Sequence, residues 1–260
     1  MLICDHSVAI LPAMMDNLIY GICTASEEVV VVDPGDAGPV RHWLQTHQKR
    51  LKAVLLTHHH YDHIGGIEAL RNGSDFEVFG PDDSRIKAVD RTVRDRDMFS
   101  IGPWQITVLE APGHTRTGVC YLVTDHRKPE TGPAANPLLF TGDTLFQGGC
   151  GRLFECEATT LWHSLERLMT LPEDTLVYCG HDYTEENLRF GLSILLGDKD
   201  LRGHCSRIQG VPFRPTTLAR EKRINIFLRA NDPEVGIVLN MANRSGVEVF
   251  AELRSRKDRY

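Results

Sequence analysis

The stretch Thr57-His58-His59-His60-Tyr61-Asp62-His63-Ile64-Gly65-Gly66 places four histidines and an aspartate within six residues, directly after an apolar run. Imidazole nitrogens and carboxylate oxygens at this density are metal-ligand chemistry, suited to zinc, iron or manganese without a thiolate. His58 and His60 are two apart, so while the chain stays extended their side chains leave on one face. Asp62 and His63 follow where the Gly65-Gly66 pair marks a turn toward a helix, so one loop can aim ligands at two neighbouring points. Three more candidates stand alone. His114 in Ala111-Pro112-Gly113-His114-Thr115, Asp143 in Phe140-Thr141-Gly142-Asp143-Thr144 and His181 in Tyr178-Cys179-Gly180-His181-Asp182 each come just past an apolar run. Each is preceded by glycine, which permits tight backbone geometry. A histidine-rich surface turn leaves this repetition unexplained, whereas a metal site built at one edge of a sandwich requires it.

The elements that must position these residues alternate along the first 180 or so positions. Apolar runs predict strands at Glu28–Val32, Lys52–Thr57, Trp104–Leu109, Pro137–Thr141 and Thr175–Cys179. Helical spacing appears at Val40, Trp43, Leu44 and His47, and at Leu161, Leu165, Leu168 and Met169. These stripes read as core packing. Residues 125–137 lack periodicity and predict an exposed loop between two strands. From Tyr183 onward helical periodicity dominates: Asn187 to Leu196, the charged segment Thr216 to Arg229 with Leu218, Ile224 and Phe227 as its apolar members, and a last helix including Phe250 to Lys257.

Composition narrows the function classes. The 260 residues carry a formal net charge of −6, which gives no overall attraction to nucleic acid or to an anionic membrane. No stretch approaches the roughly 18 apolar residues of a membrane helix, and the opening residues do not read as a secretory signal. Seven scattered cysteines without a C-x-x-C pair predict reduced thiols in a cytoplasm. A catalytic cysteine is the sharper reading of any one of them, and a small buried hydrophobe the ordinary one. The expectation is a monomer.

The His/Asp constellation resembles the metallo-β-lactamase superfamily, whose signature is H-x-H-x-D-H followed by a distant His, a bridging Asp and a final His. The resemblance implies an α/β chain, an αββα sandwich over 1–182 followed by a smaller helical domain over 183–260. It assigns His58, His60 and His114 to one metal and Asp62, His63 and His181 to the other, with Asp143 bridging. Two divalent transition-metal ions are implied, zinc first, with iron or manganese also accommodated. Asp33, in the turn Asp33-Pro34-Gly35-Asp36, resembles the family's aspartate that supports the metal loop. Read alone it is a turn residue, and both readings stand. His59 and Tyr61 fall at variable positions, and His6, His42, His47, His126, His163 and His204 fall outside the motif.

Further segments are similar to glyoxalase II. Gly149-Cys150-Gly151-Arg152-Leu153-Phe154-Glu155 looks like its G-C-G-R/K-x-F/Y-E loop, Gly180-His181-Asp182-Tyr183-Thr184 like its G-H-E-Y-T segment, and Arg254-Ser255-Arg256-Lys257-Asp258 like its R-x-x-K-D terminus. This implies hydrolysis of S-D-lactoylglutathione to glutathione and D-lactate by a metal-bridging hydroxide, with Asp62 and Asp143 holding metal and positioning water. The substrate is anionic overall, so fixed cations should bind it. By the resemblance Arg152 and Tyr183 contact glutathione near the scissile end, and Arg254 and Lys257 its glycine carboxylate. Taken alone, the basic tail would read as a solvated terminus. Asp182, Phe154, the stretch Cys156–Thr159 and the length of 125–137 depart from the family pattern. A mononuclear iron persulfide dioxygenase on the same fold is the rival function. The helical C-terminal segment and the Arg254/Lys257 pair speak against it.

Overall fold

The computed structural model describes residues 4–5, 8–24, 27–126 and 136–260. The chain forms two compact units, one of residues 1–110 with 117–142, the other of residues 111–116 with 143–260. Among the described residues no helix is long and apolar enough to cross a membrane.

The first unit holds β1 (Cys4–Asp5), β2 (Val8–Ala13), β3 (Asn17–Cys23), β4 (Glu28–Val32), α1 (Ala37–Thr46), β5 (Arg50–Leu55), α2 (Tyr61–Ile64), α3 (Ile67–Arg71), β6 (Glu77–Pro81), β7 (Arg91–Val93), β8 (Met98–Ile101), β9 (Trp104–Glu110), β10 (Val119–Asp125) and β11 (Leu138–Gly142). β1 to β7 form a sheet in chain order, antiparallel through β4 and parallel from β4 to β7. Strand β4 is apolar at four consecutive positions because both its faces are covered. Val29 and Val31 pack with Val40 and Trp43 of α1. On the opposite face, Tyr20 of β3 meets Phe140 of β11 with ring centroids 5.5 Å apart. Strands β8 to β11 form an antiparallel set in the order β11-β10-β9-β8. Two side-chain bonds tie it to the first sheet. Tyr121 donates its hydroxyl to the Leu56 carbonyl at 2.8 Å, and Trp104 Nε1 donates to the Cys23 carbonyl at 2.7 Å. Of the loop expected over 125–137, residues 127–135 lie outside the described residues.

The second unit holds the short hairpin β12 (Leu145–Phe146) and β13 (Gly149–Cys150), α4 (Ala158–Met169), β14 (Leu176–Cys179), α5 (Thr184–Ile194), α6 (Lys199–Ile208), β15 (Thr216–Thr217), α7 (Leu218–Ile224), α8 (Pro233–Val238) and α9 (Gly246–Asp258). Of the apolar stripe of α4, Leu161, Leu165 and Leu168 are buried as expected and Met169 is half-buried, and Trp162 meets Phe250 of α9 with centroids 5.4 Å apart. A capping box fixes the start of α9: Ser245 accepts from Glu248 N–H, and the Glu248 carboxylate accepts from Ser245 N–H. The helical periodicity of 216–229 materialises only over α7. Thr217 caps its start, and the chain leaves the helix at Asn225 with φ −88° and ψ 108°. Ile226 and Phe227 are buried all the same. Their apolar character reports burial of the turns that follow the helix, which sequence alone does not separate from one face of a helix.

Candidate metal centre

Among the described residues, each unit presents a cluster of ligand-type side chains. In the first, His58, His60, Asp62 and His63 follow β5, with Asp33 beside them at the end of β4. Asp33 is buried and has φ 50°, a left-handed conformation that aspartate tolerates. Its Oδ1 accepts from Thr57 N–H at 2.8 Å, and its Oδ2 accepts from the Thr57 hydroxyl at 2.6 Å and from His63 Nδ1 at 3.0 Å. Both sequence readings of Asp33 therefore hold, since it makes the turn and supports the histidine loop.

This network fixes the tautomers. Thr57 has one hydroxyl proton and gives it to Asp33, so its oxygen accepts from His58 Nδ1 at 3.0 Å. His58 then carries its lone pair on Nε2, and His63, donating from Nδ1, does the same. A ring nitrogen oriented this way by a partner behind it is the arrangement of a metal-ligating histidine. His58 Nε2 lies 3.0 Å from His60 Nδ1, and His63 Nε2 lies 3.5 Å from Asp62 Oδ2. The Asp62 carboxylate is steered by Asn17, whose Nδ2 donates to both the Asp62 carbonyl and Oδ2 at 3.1 Å. The approach depends on Gly35, where a Cβ would sit 1.7 Å from the Asp62 carbonyl oxygen.

His59 turns elsewhere, with Nδ1 3.6 Å from Asp83 Oδ2. Hydrogen bonds from Arg85 and Thr117 hold the Asp83 carboxyl well below the usual carboxylate range. That fits a variable position rather than a ligand.

In the second unit, Asp143 is buried between two histidines. His114 Nε2 and His181 Nε2 each lie 3.4 Å from its Oδ2. His114 donates from Nδ1 to the Arg152 carbonyl at 2.9 Å, so its lone pair also sits on Nε2. Gly151 permits this, because a Cβ there would fall 2.0 Å from the Asp143 carbonyl oxygen. The Tyr183 ring stacks on His181, with centroids 5.0 Å apart and planes 3° from parallel, and the exposed Phe154 ring stands edge-on to His114.

The donor chemistry in both clusters fits divalent transition metal. Two ligands bound at about 2.0–2.1 Å to a tetrahedral ion stand roughly 3.3 Å apart, and the facing atoms here are 3.0 to 3.5 Å apart. Lone pairs and carboxylate oxygens turned toward each other at that separation repel unless a proton or cation lies between them. The thiols of Cys150 and Cys179 offer no competing nucleophile. Burial pushes Cys150 up to about 11 and raises Cys179 further, which keeps both protonated.

Of the expected substrate contacts, Arg152 is exposed, whereas Arg254 and Lys257 are buried on α9. Arg254 donates to the Cys150 carbonyl at 3.0 Å and to Asp258 at 2.9 Å, and lies over the Phe227 ring. Lys257 pairs with Glu186 near the start of α5, the helix that Tyr183 precedes. Sequence reading passed over Asn17 and Thr57. Thr57 stands beside His58 in the motif and could have been suspected as its support, whereas no local signal marks Asn17.

The profile of the metallo-beta-lactamase superfamily matches residues 18–181, and that of the hydroxyacylglutathione hydrolase C-terminus matches residues 182–260. The chain is 42% identical over 261 residues to a hydroxyacylglutathione hydrolase of Chromohalobacter salexigens, covering 96% of this chain and 98% of that one. It is 38% identical over 256 residues to the one from Klebsiella pneumoniae, covering 95% and 97%. Among solved structures, ETHE1 from Myxococcus xanthus superposes with a TM-score of 0.64 at 29% identity, covering 92% of this chain and 85% of the other. A B3 metallo-beta-lactamase, BLEG-1, gives 0.63 at 26%, covering 85% and 99%. The fold is the metallo-β-lactamase fold with a helical C-terminal domain.

Proposed function

The chain belongs to the metallo-β-lactamase superfamily and, within it, to the hydroxyacylglutathione hydrolases, and on that premise we propose that it hydrolyses the thioester S-D-lactoylglutathione to glutathione and D-lactate. The observation that carries the substrate is in the second unit. Arg254 is tied to the Cys150 carbonyl, two residues before Arg152, and Lys257 to the helix that follows Tyr183. The cations of the C-terminal tail thus stand against the same loop and helix that flank His114 and His181, which supports one glutathione-binding surface made by Arg152, Tyr183, Arg254 and Lys257. Phe154 offers no hydroxyl to that surface.

We assign His58, His60 and His114 to one metal and Asp62, His63 and His181 to a second, with Asp143 shared. Zinc is the first choice at both, and iron or manganese suits the same donors. When bound, such ions supply a hydroxide nucleophile near neutral pH and polarise the thioester carbonyl. The protein's own part is to hold and orient. Asp33 and Thr57 set the ring tautomers, Asn17 sets the Asp62 carboxylate, and Asp62 and Asp143 accept hydrogen bonds from the attacking water. A thiol of pKa about 8.5 leaves as thiolate without a dedicated acid, which agrees with a site built from ligands and binding groups.

The same reading divides the chain at residue 182, a boundary supported by the adjoining profile matches. It makes the protein a cytoplasmic monomer without nucleic-acid or membrane partners. The buried thiols of Cys120, Cys150 and Cys179, none in a disulfide, support a reducing compartment. The deciding experiment is thioester hydrolysis by the purified protein with metal analysis of the same sample. Turnover of S-D-lactoylglutathione with about two metals per chain is expected. One tightly held iron, with oxygen consumed on glutathione persulfide, would assign the dioxygenase activity instead.

A further inference from the structure

The loop Phe146-Gln147-Gly148-Gly149, which leads into Arg152, has little shape of its own, since adjacent glycines give the backbone wide freedom. Its backbone is held from outside by buried side chains of α5 and α7. Asn225 Nδ2 donates to the Phe146 carbonyl at 3.2 Å and to the Gly149 carbonyl at 2.9 Å. Glu221 Oε2 accepts from Gly148 N–H at 2.8 Å, and Asn187 Nδ2 donates to the Gln147 carbonyl at 3.2 Å. Glu221 and Asn225 are four apart at the end of α7 and so share a face, and both are 0% exposed. The run continues to Cys150, whose carbonyl accepts from Arg254, and to Arg152, whose carbonyl accepts from His114.

We propose that Glu221 and Asn225 are positioning residues for substrate binding, locking the backbone of 146–149 and thereby setting where Arg152 stands and how His114 is oriented. This inference rests on the function proposed above. Packing alone does not call for this pair. Among the described residues no cation pairs directly with Glu221, and a buried carboxylate so placed is destabilising where an apolar side chain would fill the space. What the pair supplies is directional, since a carboxylate bound to an amide and an amide bound to two carbonyls fix a glycine-rich backbone as apolar contacts cannot. Burial pushes the Glu221 carboxyl up to about 7.

The test compares Asn225→Ala and Glu221→Leu with Glu221→Gln. The glutamine keeps an oxygen for Gly148 N–H, and the Thr216 hydroxyl, which donates to Oε1, can rotate to accept instead. In Asn225→Ala the KM for S-D-lactoylglutathione should rise on the order of tenfold, with a smaller fall in kcat, and Glu221→Gln should stay within about twofold of the parent. Hydrogen exchange across residues 144–153 should accelerate in Asn225→Ala and Glu221→Leu while α9 keeps parental rates. That readout needs no turnover, so it separates this inference from the substrate assignment. If Asn225→Ala does not fold, Asn187→Ala, which releases only the Gln147 carbonyl, is read the same way. A folded variant with lowered Tm but parental KM and parental exchange across 144–153 would overturn the proposal and leave Glu221 and Asn225 as stabilising residues only.

Discussion

The two ligand clusters are supported in opposite ways. In the first unit the support is compact: Asp33 and Thr57, at the ends of adjoining parallel strands, orient His58 and His63 through bonds of 2.6 to 3.0 Å. In the second unit, His114, Asp143 and His181 come from three separate loops. There His114 is oriented by a backbone carbonyl on a loop that side chains of α5, α7 and α9 hold in place. A carboxylate behind a histidine is a single replaceable part, whereas a carbonyl on a clamped loop makes the ligand depend on helices well away in sequence. The first cluster should therefore fail through single residues and the second through the shape of a loop.

The sharpest break is Asp143→Ala. The carboxylate faces both His114 and His181 and is assigned to both metals. Its loss should empty or distort the pair and lower turnover by more than the roughly 10–100-fold that removal of a partner behind a ligand costs. Elemental analysis and kcat on the folded variant measure this, and two retained metals with near-parental turnover would refute the shared role.

Asp33→Ala comes next and isolates the first cluster. It removes the acceptor of Thr57 and His63, so the tautomers of His58 and His63 are no longer imposed. Metal affinity should fall roughly 10–100-fold while binding of a glutathione product analogue, read by calorimetry, stays near the parent's. An equal loss of both would mean that the two clusters do not separate as argued.

The same contrast explains what the sequence could reveal. His58 to His63 were legible because their ligands are neighbours in the chain, and β4 because four consecutive valines need cover on both faces. His114, Asp143 and His181 were legible as residues just past strand ends, but their grouping came only from a resemblance. The clamp had no local signature at all. Glu221 and Asn225 reach the loop across 73 to 79 residues, and in sequence they sit inside a charged, periodic segment that reads as an ordinary helix. Asn225 ends that helix, so the residue that defeated the periodicity is one that reaches the loop. The resemblance makes Arg254 and Lys257 carboxylate binders, and both hold protein partners as well. A glutathione carboxylate would have to join or displace Asp258 and Glu186.

Lys257→Ala tests that competition. Glu186 is more than half exposed and can be solvated once the lysine is gone, so the fold should tolerate the change. Losing one charge-assisted bond costs about 1.5–3 kcal/mol, roughly a ten- to hundredfold loss of affinity. If the contact is equal in ground and transition states, KM rises and kcat holds. Metal content should not change, and a small thioester lacking the glycine carboxylate should be insensitive. An unchanged KM for the glutathione thioester would make the tail a structural strut of α9.

The smallest effect on turnover is expected at Glu221→Gln, where the comparison is sharpened through pH. Burial raises the folded-state carboxyl from its usual 4.5 to about 7, with Arg220 the nearby cation opposing the shift. A raised acid binds its proton more tightly in the folded chain. Its contribution is therefore fully present below pH 4.5 and is lost as pH rises through 7. His204, which accepts from Gln147 Nε2 at 2.9 Å, runs the other way. Burial, with Arg220 and Arg207, lowers it from 6.5 to about 4, so its contribution is present above 6.5 and is lost as pH falls through 4. The two groups offset each other between about pH 4.5 and 6.5 in the parent, and glutamine at 221 removes only the first. Relative to the parent, Glu221→Gln should gain about 2–3 kcal/mol between pH 5 and pH 8, several degrees in Tm, with KM close to parental. A Tm difference that does not change with pH would mean that Glu221 stays ionised throughout. The loop would then be held by a permanent carboxylate, and the second unit's support would be as insensitive to pH as a backbone carbonyl.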